Sequence, residues 1–261
     1  MRSLYISFIS EFYKSRKTLA FWSAILLPLS ICLIIALGFI LKYDNLVKYP
    51  PQMLWFYFIY PIAGIMGSLL LPILVIYNTY AITNMEYKGD TWKSLFSLPL
   101  PKLSIYSSKF IYIIFLTFLT MFLFAIFIIT AGHSIELFRP QLKFSGFNPT
   151  EIILRSFTKM FLSSIGIISL QFLMNLLWND FLKPFGLGFL MTIFASIAAN
   201  MNWKYAIYIP QAFPSLTVMN IMNSKKGIEF AIFDQAIAHS LICGLMVFVA
   251  GYFILLKRNI K

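Results

Sequence analysis

Charge is scarce in this sequence. Only 11% of its 261 residues are Asp, Glu, Lys or Arg, against about 25% in a soluble globular domain. Hydrophobic residues make up 60% and the mean hydropathy is +0.81, so water is not the main solvent of this chain. Alternating apolar and polar segments of about 10 residues are absent, which excludes a membrane β-barrel. Cysteine occurs twice, at Cys32 and Cys243, each inside an apolar run, and these read as reduced packing residues rather than a disulfide. Histidine also occurs twice. His133 and His239 lie far apart, outside any spaced ligand cluster, and suit interfacial hydrogen bonding better than metal binding.

Other absences narrow the function. No glycine-rich loop carries the Lys and Ser or Thr needed to cradle phosphates, so the chain itself does not hold ATP in the P-loop manner. Asp234 and His239 are spaced to meet, but a nucleophile and a third group are missing, and no catalytic site is assigned. The convergent acid and histidine pairs of a membrane-embedded enzyme are absent. Ionisable residues in the middle of apolar runs, which mark ion or proton paths, are almost absent too: Lys109 and Lys159 fall near run ends. This argues against a proton- or sodium-driven carrier. No cleavable signal peptide, internal repeat or low-complexity tract is evident.

What is present is a set of long apolar runs. Six are long enough to span a bilayer, at roughly 19–41, 55–77, 103–131, 155–178, 183–200 and 236–256. Pro61 and Pro72 predict kinks in the second. The chain therefore reads as an all-α polytopic membrane protein forming one domain. Its net charge of +12 fits anionic lipid headgroups, not nucleic acid. With both termini in the cytoplasm, the inner segments carry 12 Lys and Arg in 60 residues and the outer ones 9 in 76. The positive-inside rule favours that orientation.

Three polar or broken segments interrupt the pattern. Residues 1–18 place Leu4, Tyr5, Phe8, Ile9 and Phe12 at helical spacing, with Ser3, Ser7, Ser10, Glu11 and Lys14 on other faces. That is an amphipathic leader for the headgroup boundary, or else an extension of the first span. Residues 201–235 are too apolar for an exposed loop, and Pro210 and Pro214 break them too often for a span. An outer re-entrant or surface-lying hairpin fits them. Residues 84–98 are the charged island between spans two and three. Asn84 is placed to cap a short helix there, Glu86 to meet the positive end of its dipole, and Pro99 and Pro101 to stop it. Met85, Gly89, Trp92 and Phe96 share one face, a docking surface or a face resting on lipid. In the fourth span, Gln171 and Asn175 form the most polar intramembrane face, lining a translocation path or pairing across helices.

The island also carries a family resemblance. Glu86, Gly89, Thr91, Trp92, Leu95, Pro99 and Lys109 match the pattern of the ABC-2 type exporter permeases. Glu11, Lys14, Arg16, Lys17 and Trp22 resemble the opening of the bacitracin-export and lantibiotic-immunity branch. The resemblance implies a permease subunit of an ATP-driven exporter in a bacterial cytoplasmic membrane, with antimicrobial peptides or other amphipathic molecules as cargo. It implies that 84–98 is the cytoplasmic coupling helix docking on a P-loop ATPase subunit. Trp92, Leu95 and Phe96 would then be buried anchors, and Glu86 and Lys88 a polar rim. ATP and Mg would be held by that partner and no cofactor by this chain. A second permease copy or a paralogue would complete the path. The alternative is a non-transporting membrane scaffold or assembly factor that uses the same segment to bind another partner.

Overall fold

The computed structural model describes residues 2–89, 99–178, 180–223 and 232–257, apart from the side chains of Arg2, Lys88 and Asn223. Among them every regular element is helical. We number the main helices α1 (Arg2–Ser15), α2 (Leu19–Leu41), α3 (Pro51–Ile65), α4 (Leu71–Lys88), α5 (Lys102–Phe138), α6 (Thr150–Leu177), α7 (Leu182–Asn200), α8 (Phe213–Asn223) and α9 (Gln235–Lys257). Six rods are long and apolar enough to cross a membrane: α2, α3 running into α4, α5, α6, α7 and α9.

The second rod continues well past the expected end at Tyr77. Its added turns carry Asn78, Thr79, Thr83, Asn84 and Glu86, all buried. Thr79 and Thr83 donate back to the carbonyls of Val75 and Thr79, and the Tyr87 hydroxyl donates to the Leu176 carbonyl of α6 at 3.1 Å. Polar residues that find partners inside the bundle need no water, so the helix persists to Gly89, whose N–H bonds the Met85 carbonyl at 3.2 Å. This overturns the expectation that a separate helix starts at Asn84. Residues 84–88 are the end of α4, and residues 90–98 lie outside the described residues.

Between α3 and α4 the helix widens into a π-turn over Met66–Leu70. Pro72 cannot donate to the carbonyl one turn back, and such a missing rung is a recognised cause of local distortion. α8 docks against this widened turn. The Ser215 hydroxyl donates to the Gly67 carbonyl at 3.0 Å. A Cβ at Gly67 would sit 2.7 Å from Val218 and 3.1 Å from the Pro214 carbonyl, so only glycine permits the approach. Phe213 lies against Gly166, midway along α6. The segment 204–223 thus turns back among α3, α6, α7 and α9, with Gln211, Phe213, Thr217 and Val218 buried. It is launched by a helix-ending turn in which Asn202 adopts φ 52° and Trp203 N–H bonds the Ala198 carbonyl at 3.0 Å.

The core runs through Trp55, Phe58, Tyr112, Phe124, Phe157 and Phe172. At one end of the bundle, Trp55 donates its indole N–H to the Phe144 carbonyl at 2.9 Å and its ring meets His133 edge-on. At the other end lies a group of buried charges.

Candidate functional site

The charge group begins with α1. Ser7, Glu11 and Ser15, spaced four apart, are buried, while Tyr5, Ile6 and Tyr13 are exposed. The leader therefore turns a polar stripe inward onto α5 and leaves apolar side chains outward, the arrangement expected where the surroundings are lipid. Phe8 packs edge-on against Tyr112 and Phe115. Ser15 and Tyr112 share a hydrogen bond through their hydroxyls.

Glu11 meets Lys109, which lies in the second turn of α5. The Lys109 ammonium donates to both Glu11 carboxylate oxygens, at 2.9 and 3.0 Å, and to Glu86 Oε1 at 2.8 Å. Lys14 donates to the same Glu86 oxygen at 2.8 Å and lies 3.6 Å from Glu11. Lys109 is fully buried and the side chains of Glu11 and Glu86 are 4% and 2% exposed, whereas that of Lys14 is 34% exposed. Moving a charge out of water costs several kcal/mol, which such direct pairing offsets. Glu86 also sits in the last turn of α4, where the helix dipole opposes a carboxylate, and the two ammonium groups offset that opposition. Burial pulls the Lys14 ammonium down, but Glu11 and Glu86 outweigh it and hold the group above its ordinary range.

Expected on an exposed rim, Glu86 is instead buried as the acceptor that joins α1, α4 and α5. Gly89 and Pro99 are exposed. Thr91, Trp92, Leu95, Phe96 and the Lys88 side chain lie outside the described residues. Gln171 and Asn175 are buried rather than set on an open wall. Gln171 Nε2 donates to the Pro184 carbonyl at 2.8 Å and Asn175 Nδ2 to the Gln171 carbonyl at 2.9 Å. Asp234 does not meet His239. Its carboxylate caps α9 by accepting the Ile237 N–H at 2.9 Å and pairs with Lys159 at 3.0 Å, while His239 bonds the Gln235 carbonyl at 2.7 Å. Among the described residues no group of His, Cys, Asp and Glu is placed to hold a metal ion.

Composition alone missed this cluster, because Lys109 reads as a span-end lysine and Glu11 as a headgroup-facing acid. The signal lay in the two motifs. Glu11 and Lys14 belong to one, Glu86 and Lys109 to the other, and the fold brings all four together.

The pattern of the ABC-2 family transporter protein matches residues 7–195, more than two thirds of the chain and the stretch that holds the whole charge cluster. No curated protein and no solved structure matches the chain. The family match, six membrane-length rods and a buried charge group built from both motifs lead to one conclusion: the chain belongs to the ABC-2 family of transporter proteins, as a multi-pass membrane component.

Proposed function

We propose that this chain is the permease subunit of an ATP-driven exporter, with the end of the bundle that holds the charge cluster facing the cytoplasm. The observation that carries this reading is the position of Glu86. It anchors the end of α4 to Lys109 and, through Lys14 and Lys109, to α1. Glu86 near the end of α4 and Lys109 near the start of α5 are tied to each other and to α1, so a force applied to the chain between those helices would reach α1, α4 and α5 together. From there α4 runs as a stiff rod to the π-turn at Met66–Leu70, where α8 is docked. A push at one end of α4 is thereby delivered to the middle of the bundle.

The source of the push is a cytoplasmic P-loop ATPase subunit that binds ATP and Mg and receives Trp92, Leu95 and Phe96. Two permease subunits, identical or paralogous, form the path. The cargo is an amphipathic molecule taken from the membrane, and the opening motif supports lantibiotic- or bacitracin-like peptides.

Purification of the tagged full chain in mild detergent, with mass spectrometry of what accompanies it, tests the reading. A stoichiometric P-loop ATPase should copurify from the native membrane. Loss of one buried aromatic anchor costs about 2 kcal/mol or more of binding, so the ATPase should be lost from Trp92→Ala while the permease stays folded. Recovery of the permease alone, or of a partner without ATPase motifs, overturns it in favour of a scaffold. A second arm addresses cargo: expression should raise the lantibiotic concentration that inhibits growth, and Trp92→Ala should abolish the rise.

A further inference from the structure

At the end of the bundle opposite the charge cluster, α2 and α5 run side by side and stop together, at Leu41 and Phe138. Between them lies a groove of about 230 Å³. It extends from Leu29 to Ile40 on one helix and from Phe127 to Phe138 on the other. Cys32, Ala36 and Ile135 are its buried lining, two of them small, and Ala131, Leu33 and Phe127 also line it. Each wall is about 16 Å long at 1.5 Å per residue, close to half of the roughly 30 Å hydrocarbon thickness of a bilayer. The groove is therefore as long as one leaflet is deep.

The mouth is basic. Lys42 follows Leu41 and Arg139 follows Phe138, so each helix ends on a cation at the level where headgroups begin. The Arg139 guanidinium stacks 4.1 Å from the centre of the Tyr43 ring. Its Nε is buried without a hydrogen-bond acceptor among the described residues. The two acids nearby do not answer it. Glu136 is engaged by the Ser145 N–H and hydroxyl, both at 2.8 Å, and Asp44 is exposed on the turn Tyr43–Leu46. Leu41, Leu137 and Phe138 are 79%, 84% and 70% exposed around the opening. These values suit contact with acyl chains and not with water.

We infer that this groove is a binding site for an anionic phospholipid, with one acyl chain lying between α2 and α5 and the phosphate held by Arg139 and Lys42. The two halves of the site select different parts of the molecule. The groove selects an unbranched hydrocarbon chain, whatever the headgroup, and the two cations favour a headgroup with net negative charge over a zwitterionic one. A lipid seated there splints the outer halves of α2 and α5, where small side chains leave the helices incompletely packed. The inference is independent of the ATPase and of the cargo.

Native mass spectrometry of the full chain, released from nanodiscs of equal phosphatidylglycerol and phosphatidylcholine, tests it. The wild type should retain one phosphatidylglycerol per chain in preference to phosphatidylcholine. An exposed cation near the surface contributes roughly fivefold in affinity for an anionic lipid, so Arg139→Gln and Lys42→Gln together should lower retention by more than tenfold. Lys48→Gln, an exposed cation on the same side, should leave it unchanged. Ala36→Leu adds bulk to the buried lining of the groove and should remove both lipids. The charge variants sit at exposed or half-exposed positions, so the test stands even where Ala36→Leu impairs folding. Equal retention of the two lipids by the wild type overturns the inference, as does retention that survives loss of both cations. Release of a dimer whose groove stays closed to lipid also overturns it, because a second copy would then cover this face.

Discussion

Lys109 and Glu86 are 2.8 Å apart and buried, one near the start of α5 and the other in the last turn of α4. The pair ties the last turn of α4 to the second turn of α5. Glu11 adds a third helix to the same knot. An ion pair inside a bundle is a poor source of net stability, since burying its charges costs about as much as pairing them returns. Its physical consequence is geometric: it admits one arrangement of α1, α4 and α5 and penalises slippage.

Replacing Lys109 by Met should therefore be severe, because it strands Glu11 and Glu86 without their buried partner. A loss of about 3–5 kcal/mol is expected, read as a large fall in the thermal unfolding midpoint in detergent. Lys14→Met, at a side chain one third exposed, should cost much less. Combining Lys109→Met with Glu11→Gln should cost less than the two single losses added together. Additive losses would mean that the pair does not interact.

Lys14 also sets a pH dependence. Its ammonium is held above its ordinary value of 10.5, against the opposing pull of burial, by Glu11 and Glu86. A raised folded-state value on a cation stabilises the fold fully below the unfolded value and is lost as pH rises through the folded one. The contribution of Lys14 should thus be constant near neutrality and disappear only above about pH 10.5. Unfolding midpoints measured between pH 8 and 12 should fall more steeply in wild type than in Lys14→Gln. Parallel profiles would contradict the role of the two carboxylates.

The spans were legible because a run of about 20 apolar residues has one physical outcome in a bilayer. The first span is observed at Leu19–Leu41, as its composition predicts, and the others differ mainly at their ends. Those ends were harder to read for one reason. Asn78, Thr83, Asn84 and Glu86 are polar in sequence but buried in the fold, and hydropathy cannot distinguish a polar residue facing water from one enclosed in the bundle. The same ambiguity hid the site. The inward stripe Ser7–Glu11–Ser15 looks like the wet face of a surface helix until Lys109, 98 residues from Glu11, is placed beside it.

The π-turn makes a separate prediction. Gly67→Ala would drive a methyl group to 2.7 Å from Val218 and toward the Pro214 carbonyl, forcing α8 away and stretching the bond from Ser215 to the Gly67 carbonyl. Overpacking of this kind costs about 1–3 kcal/mol. Val218→Ala in the same chain should recover part of the loss by freeing the space. Equal midpoints for the single and double variants would show that α8 does not bear on the turn.

The pair Lys159–Asp234 offers a test in which two roles of one residue separate. Asp234 caps α9 with one oxygen and meets the buried Lys159 ammonium with the other. Asp234→Asn keeps an oxygen for the cap but removes the charge, whereas Asp234→Ala removes both. The step from wild type to Asn should exceed the step from Asn to Ala, which is the worth of a helix cap, about 1 kcal/mol. If Asp234→Asn matches wild type in its unfolding midpoint, the charge pair contributes nothing and α9 is positioned by its cap and its packing on α6.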